Sequence, residues 1–146
     1  MKHVFLFIAF ISLTLFSCKK PSYADPEISS LNGTWRMIIA ADNASGLATT
    51  KPSSILGNVD ITFTPDIATG GTFTGLTPSN QIGVSDYSTG PNHTLAVSNL
   101  FMTKLAETLW GAAFVNNIRS AKRYGFDKSG RLIIVTTDKT LTFIKR

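Results

Sequence analysis

Residues able to carry acid–base, nucleophilic or metal chemistry are few in this 146-residue chain, which holds one cysteine, two histidines and nine acidic residues. His3 precedes an apolar N-terminal run, so His93 is the one histidine downstream of it, and a two-histidine metal site cannot form there. Serines are plentiful, yet no G-x-S-x-G elbow occurs, because Gly83-Val84-Ser85-Asp86-Tyr87 lacks the second glycine. His93 reads as a solvent-exposed loop residue. The run Gly70-Gly71-Thr72-Phe73-Thr74-Gly75 has the glycine spacing of a phosphate loop but continues Leu76-Thr77 instead of Lys-Ser/Thr, so it reads as turn and strand. Asp60, Asp66, Asp86, Glu107, Asp127 and Asp138 are scattered, with no calcium-loop pattern. A glycosidase-type carboxylate pair forms in space, and nothing in the sequence singles one out. The expectation is a non-enzymatic chain with no catalytic, cofactor or metal site.

Cys18 is the exception. Lys2 and His3 give a short positive start, residues 4–16 form an apolar run of thirteen, and Ser17-Cys18 follows at once. Thirteen residues are too few to span a bilayer, which takes about 20. Leu15-Phe16-Ser17-Cys18 resembles the bacterial lipobox, with Leu at −3, a small residue at −1 and Cys at +1; Phe16 stands where a small residue is usual. Residues 1–17 are therefore expected to be a lipoprotein signal peptide, with diacylglycerol on the Cys18 thiol and a further acyl chain, such as palmitate, on its new amino group. Several chains anchor where one would not. Residues 18–29, with Pro21 and Pro26, read as the lipidated cysteine and a flexible tether. Lys19-Lys20 is not the acidic pattern of inner-membrane retention or surface export, which favours an outer-membrane anchor with the domain facing the periplasm.

The remainder, 30–146, has the length of one domain. With 43% hydrophobic residues and ten Phe in the whole chain, disorder is excluded as the main state. A lone cysteine excludes an intramolecular disulfide framework. The net charge is +5, and residues 111–146 carry eight Lys and Arg against two Asp. Interleaved Tyr124 and Phe126 would suit a nucleic-acid surface, but export argues against one. Membrane attachment through the lipid is expected, and an envelope protein or an anionic envelope component is the partner class in view. A solvated strand face is the simpler use of the same charges.

Elements to position these groups are mostly strands. Trp35, Met37 and Ile39 alternate with polar or smaller neighbours, and Val59, Ile61 and Phe63 alternate with Asp60, Thr62 and Thr64. Further strands are expected over 71–76, 94–97, 122–126, 131–137 and 141–145, with a tight Asp127-Lys128-Ser129-Gly130 turn in the terminal meander. Residues 41–57 and 77–92 read as long loops. One helix is expected over 104–118, with Leu105, Leu109, Ala113 and Ile118 near one stripe, Trp110 and Phe114 beside it, and Thr103 as cap. The fold class is mainly β (α+β), a compact curled antiparallel sheet or partly open barrel with one helix.

In order along the chain, Leu31-x-Gly33-x-Trp35, Ile61-Thr62-Phe63, Phe73-x-Gly75 with Asn80 and Tyr87, then Leu95 to Val97, Thr103, Glu107, Phe114, Ile118, Tyr124, Gly130-x-Leu132-x-Ile134 and Leu141-x-Phe143 follow the pattern of the META domain family, which residues 30–146 resemble. The family's Gly-Cys-Asn is here reduced to Asn80, so any role of that cysteine is absent. The resemblance implies a curled antiparallel sheet with one helix, in secreted or lipid-anchored bacterial proteins, some linked to heat-shock response, antibiotic resistance or motility. The opening also resembles the first lipocalin motif, whose Trp closes one end of a barrel. Two functions are expected to compete: a binding or interaction domain, in envelope stress if the resemblance extends that far, and a lipocalin-like carrier of a small hydrophobic ligand.

Overall fold

The computed structural model describes residues 30–67 and 69–146, so the expected signal peptide, Cys18 and the expected tether lie outside the described residues. Nine strands follow in order: β1 (Gly33–Asp42), β2 (Ala48–Thr50), β3 (Asp60–Ile67), β4 (Gly70–Leu76), β5 (Gln81–Gly90), β6 (Thr94–Ser98), β7 (Arg123–Phe126), β8 (Leu132–Val135) and β9 (Lys139–Lys145). Among the described residues there is one α-helix, α1 (Leu109–Ile118), between β6 and β7. β1 and then β3 to β9 pair antiparallel in sequence order, and β9 pairs back onto β1 along seven residue pairs from Trp35↔Lys145 to Asp42↔Lys139. The sheet is thus an eight-stranded closed barrel, with β2 added beside the last residues of β1. Closure removes the free edges that a curled open sheet would expose. Its weakest seam is β6–β7, held by the pair Thr94↔Arg123 and by the Leu95 amide donating to the Lys122 carbonyl at 3.0 Å.

Alternation drives the packing. Trp35, Met37, Ile61, Phe63, Phe73, Leu132, Ile134, Leu141 and Phe143 point inward and are all buried, while Thr62, Thr64, Thr72 and Thr74 take the intervening positions. A bulge between Met37 and Ile39 shifts the phase of β1, so Ala40 rather than Ile39 is buried. Filling the interior with these side chains stabilises the fold by roughly 1.5–3 kcal/mol for each large apolar group removed from water.

Three sequence expectations change here. Residues 41–57 are not all loop, because β1 runs on to Asp42 and β2 returns beside it over Ala48–Thr50. Residues 77–92 are not one loop, because β5 occupies most of them. Ile82, Ser85 and Tyr87 are its buried positions, and a register shift opposite Phe73 and Gly75 breaks the period of two that would have marked the strand. The helix begins five residues later than expected and presents a different face. Its cap is Thr108, whose hydroxyl accepts the Gly111 amide at 3.1 Å. Trp110, Phe114 and Ile118 are buried, one turn apart, whereas Leu105 and Leu109 are 67% and 89% exposed. Residues 104–108 are kept out of the helix by tertiary bonds on and before them. The Leu105 amide donates to Asn80 Oδ1 at 2.8 Å, and residues 101–103 pair with β5, the Gly83 amide donating to the Phe101 carbonyl and the Thr103 amide to the Gln81 carbonyl, both at 3.0 Å. Residues 101–103 thus extend the sheet past the end of β6.

Strand direction separates the two ends of the barrel. Residue 30, the β3–β4 and β7–β8 turns and the last residues of β9 lie at one end, called here the tether end. The long connections 43–59 and 99–122, with α1, lie at the other, the helix end. Phe114 of α1 meets Phe143 edge-on, with ring centroids 6.3 Å apart, so the helix plugs its end of the barrel.

Candidate functional site

The groups that the sequence offered for chemistry are kept apart by the fold. His93 is exposed beyond β5 and stacks edge-on against Tyr124 at 5.4 Å. Ser85 is fully buried; its hydroxyl donates to the Gly83 carbonyl and accepts the Phe101 amide, each at 3.1 Å. Asp60 forms a two-point pair with Arg36 at 2.7 Å on both bonds, Asp127 pairs with Arg131 at 2.6 Å, and Asp86 accepts from Asn99 at 2.9 Å. Among the described residues no group of three or more His, Cys, Asp or Glu could hold a metal ion. Gly71 and Gly75 belong to β4, where a Cβ would come within 2.3 Å of the Thr64 and Asp60 carbonyl oxygens. Close strand packing, not phosphate, requires them.

Three residues named through the family pattern do converge. Asn80 and Thr77, in the β4–β5 turn, meet Thr103 and Glu107 of the segment leading to α1. The Asn80 Oδ1 accepts the Thr103 hydroxyl at 3.0 Å and the Leu105 amide at 2.8 Å, and its Nδ2 donates to Glu107 Oε2 at 2.9 Å. The Thr77 hydroxyl also donates to Glu107, and the Thr108 amide donates to Glu107 Oε1 at 2.9 Å. Burial alone would raise the Glu107 pKa, but these donors together outweigh it and hold the carboxyl below its usual range. Gly111 is required here, since a Cβ would fall 2.3 Å from the Glu107 carboxyl carbon. With every member satisfied, the cluster is a pin that fixes the start of α1 over the barrel.

Once pinned, α1 leaves a cleft of about 390 Å³ between itself and the β1–β2 side of the barrel mouth. Leu109, Trp110 and Ala113 line it from the helix, Ala40, Thr49 and Pro52 from the opposite side, and Lys139 at the start of β9. Trp110 is 2% exposed, and its indole N–H has no hydrogen-bond partner within the protein. The sequence marks Trp110 as part of the helix and carries no sign of this unpaired donor. Lys139 makes a long 3.7 Å pair with Asp42. The Ser45 amide and hydroxyl, each donating to Asp42 Oδ1 at 2.9 Å, keep that carboxyl below its usual range.

Outside the barrel an open trough of about 610 Å³ crosses β1, β3, β4 and β5, with Leu76 and Val84 along it 55% and 62% exposed. The eight C-terminal cations do not form one face. Register puts Lys128, Arg131, Lys145 and Arg146 at the tether end and Arg119, Lys122, Arg123 and Lys139 at the helix end.

No protein-family model and no curated protein matches the chain. Among solved structures it is similar to the NMR structure of a protein from Burkholderia xenovorans, at 18% identity and a TM-score of 0.52, covering 87% of this chain and 99% of that one. This likeness concerns the fold: a mainly-β barrel carrying a single helix.

Proposed function

We propose that the chain is an outer-membrane-anchored lipoprotein, acylated on Cys18, whose META-like barrel faces the periplasm as a non-enzymatic binding or interaction domain, with envelope stress as its setting. The observation that carries this reading is the combination of a closed barrel filled by its own aromatic and aliphatic side chains with a cleft left open at the helix end. Recognition then belongs to the surface. Residue 30 leaves the barrel at the opposite end, so a lipid tether would leave the cleft pointing away from the membrane. Among the described residues no helix is long and apolar enough to cross a membrane.

The second reading is a lipocalin-like carrier. Side chains occupying the barrel interior disfavour a ligand held inside the sheet, whereas the half-open apolar cleft favours one held at the mouth. Fractionation tests the anchor: the wild type is expected with membranes and Cys18→Ala in the soluble periplasmic fraction, and a variant that stays with membranes overturns it. Native mass spectrometry of the gently extracted lipoprotein separates the two uses. A protein-sized added mass supports the interaction domain, a small reproducible one supports the carrier, and a bare acylated chain weakens both.

A further inference from the structure

We infer that the cleft at the helix end is a binding site for a small apolar carboxylate, held by the Trp110 indole N–H and the Lys139 ammonium. The inference rests on the binding reading above and names its ligand class. Its starting point is the one buried side-chain donor left unpaired among the described residues. Buried polar groups are almost always hydrogen-bonded, and leaving one unmade costs about 1–3 kcal/mol. Other buried side chains of this barrel follow that rule: Trp35 donates to the Leu31 carbonyl at 2.7 Å, and Asn80 uses both ends of its amide. The exception belongs to Trp110, one of the residues that line the cleft.

The rest of the lining sets the ligand's character. Leu109, Ala113, Ala40 and Pro52 offer apolar contact to a hydrocarbon or aromatic body. A volume of about 390 Å³ suits a small molecule, toward the lower end of known ligand pockets at roughly 300–1,000 Å³. The ligand must bring an acceptor, because an indole N–H can only donate. Lys139 selects an anionic acceptor. Its pair with Asp42 is long, and Asp42 is already served by Ser45, so the ammonium can turn to a carboxylate without leaving Asp42 bare. Asp42 is the acidic group facing Lys139, and the nearby Asn117 amide already donates to the Ala113 carbonyl at 3.0 Å.

The test uses the full ¹⁵N-labelled lipoprotein in nanodiscs, with benzoate as probe and benzyl alcohol as its uncharged counterpart. Two indole N–H resonances are present, one each from Trp35 and Trp110, and Trp110→Phe assigns them. Benzoate is expected to move the Trp110 resonance saturably in the millimolar range and to leave the Trp35 resonance in place. Trp110→Phe should weaken benzoate about tenfold, and Lys139→Met should abolish an about tenfold preference for benzoate over benzyl alcohol. If Trp110→Phe does not fold, the wild-type titration and the surface variant Lys139→Met decide the matter. An unmoved Trp110 resonance, equal movement of both resonances, or unchanged preference in Lys139→Met would overturn the site. Cys18→Ala fractionation and the mass of co-extracted partners are independent of benzoate, so failure of this site and failure of the anchored binding domain are read separately.

Discussion

The two ends of the barrel are each closed over a tryptophan, and they solve the same problem differently. At the tether end Trp35 is fully buried, gives its N–H to the Leu31 carbonyl, packs on Phe126 at 5.7 Å and lies under the Lys145 ammonium at 5.4 Å. At the helix end Trp110 is almost as buried, but it arrives on a helix, its N–H is unpaired, and a cleft remains beside it. A strand end can be sealed by local chain: Leu31 is four residues from Trp35 and follows it into the core. A separate helix must be pinned from outside, here by Glu107 and Asn80, and the pin fixes its start without filling every gap along its flank. One end is finished as packing; the other is left with unused binding capacity.

The most forceful way to break this contrast is to unseat the plug. Phe114→Ala should destabilise the domain by about 3–5 kcal/mol, read as a shifted midpoint in denaturant unfolding. A loss below about 1 kcal/mol would mean that the helix contributes little to closing the barrel. Next come the tryptophans. Trp35→Phe strands the Leu31 carbonyl and leaves a void, and is expected to cost about 1–3 kcal/mol. Trp110→Phe leaves a comparable void but strands no partner and removes an unpaired donor, so it should cost at least about 1 kcal/mol less than Trp35→Phe. Equal costs in thermal melts would erase the distinction between the two ends.

The pin gives a pH-dependent test. Because the folded Glu107 carboxyl titrates below its unfolded value, its contribution is fully present above the ordinary carboxylate range and is lost as pH falls through the folded value. Glu107→Gln should therefore cost about 1–3 kcal/mol near neutrality, with the gap from wild type narrowing below about pH 4.5. Unfolding curves from pH 7 to pH 3 with a constant gap would show that the carboxylate charge is not what the Thr77 and Asn80 donors hold. Thr108→Ala, the smallest change, should cost about 1 kcal/mol through the lost cap alone, checked by urea midpoint.

How much could be read in advance depended on whether the signal was local. Alternation marked β1, β3, β8 and β9, and Gly130, in the left-handed region at φ 72°, closes the expected β7–β8 turn. β5 escaped because its bulge places Ile82 and Ser85 three residues apart on one face. The helix was legible as a helix but not in phase: Leu105 and Leu109 fit the same spacing as Trp110 and Phe114, and hydrogen bonds to residues more than twenty positions away decided which set turned inward. Trp110 carried no mark of its unpaired donor.

Taken alone, then, the sequence determined the mainly-β character, the single helix, the turn chemistry and the scattering of its carboxylates, because each follows from residue type and spacing over a few positions. Tertiary structure alone decided that the sheet closes, that Asn80, Thr103 and Glu107 meet, that eight cations divide between two ends, and that Trp110 is sealed beside a cleft with its N–H unpaired. Those outcomes depend on strand register and on the stagger that closes the barrel. Register couples residues far apart in the chain, and no local pattern encodes where the last strand will meet the first.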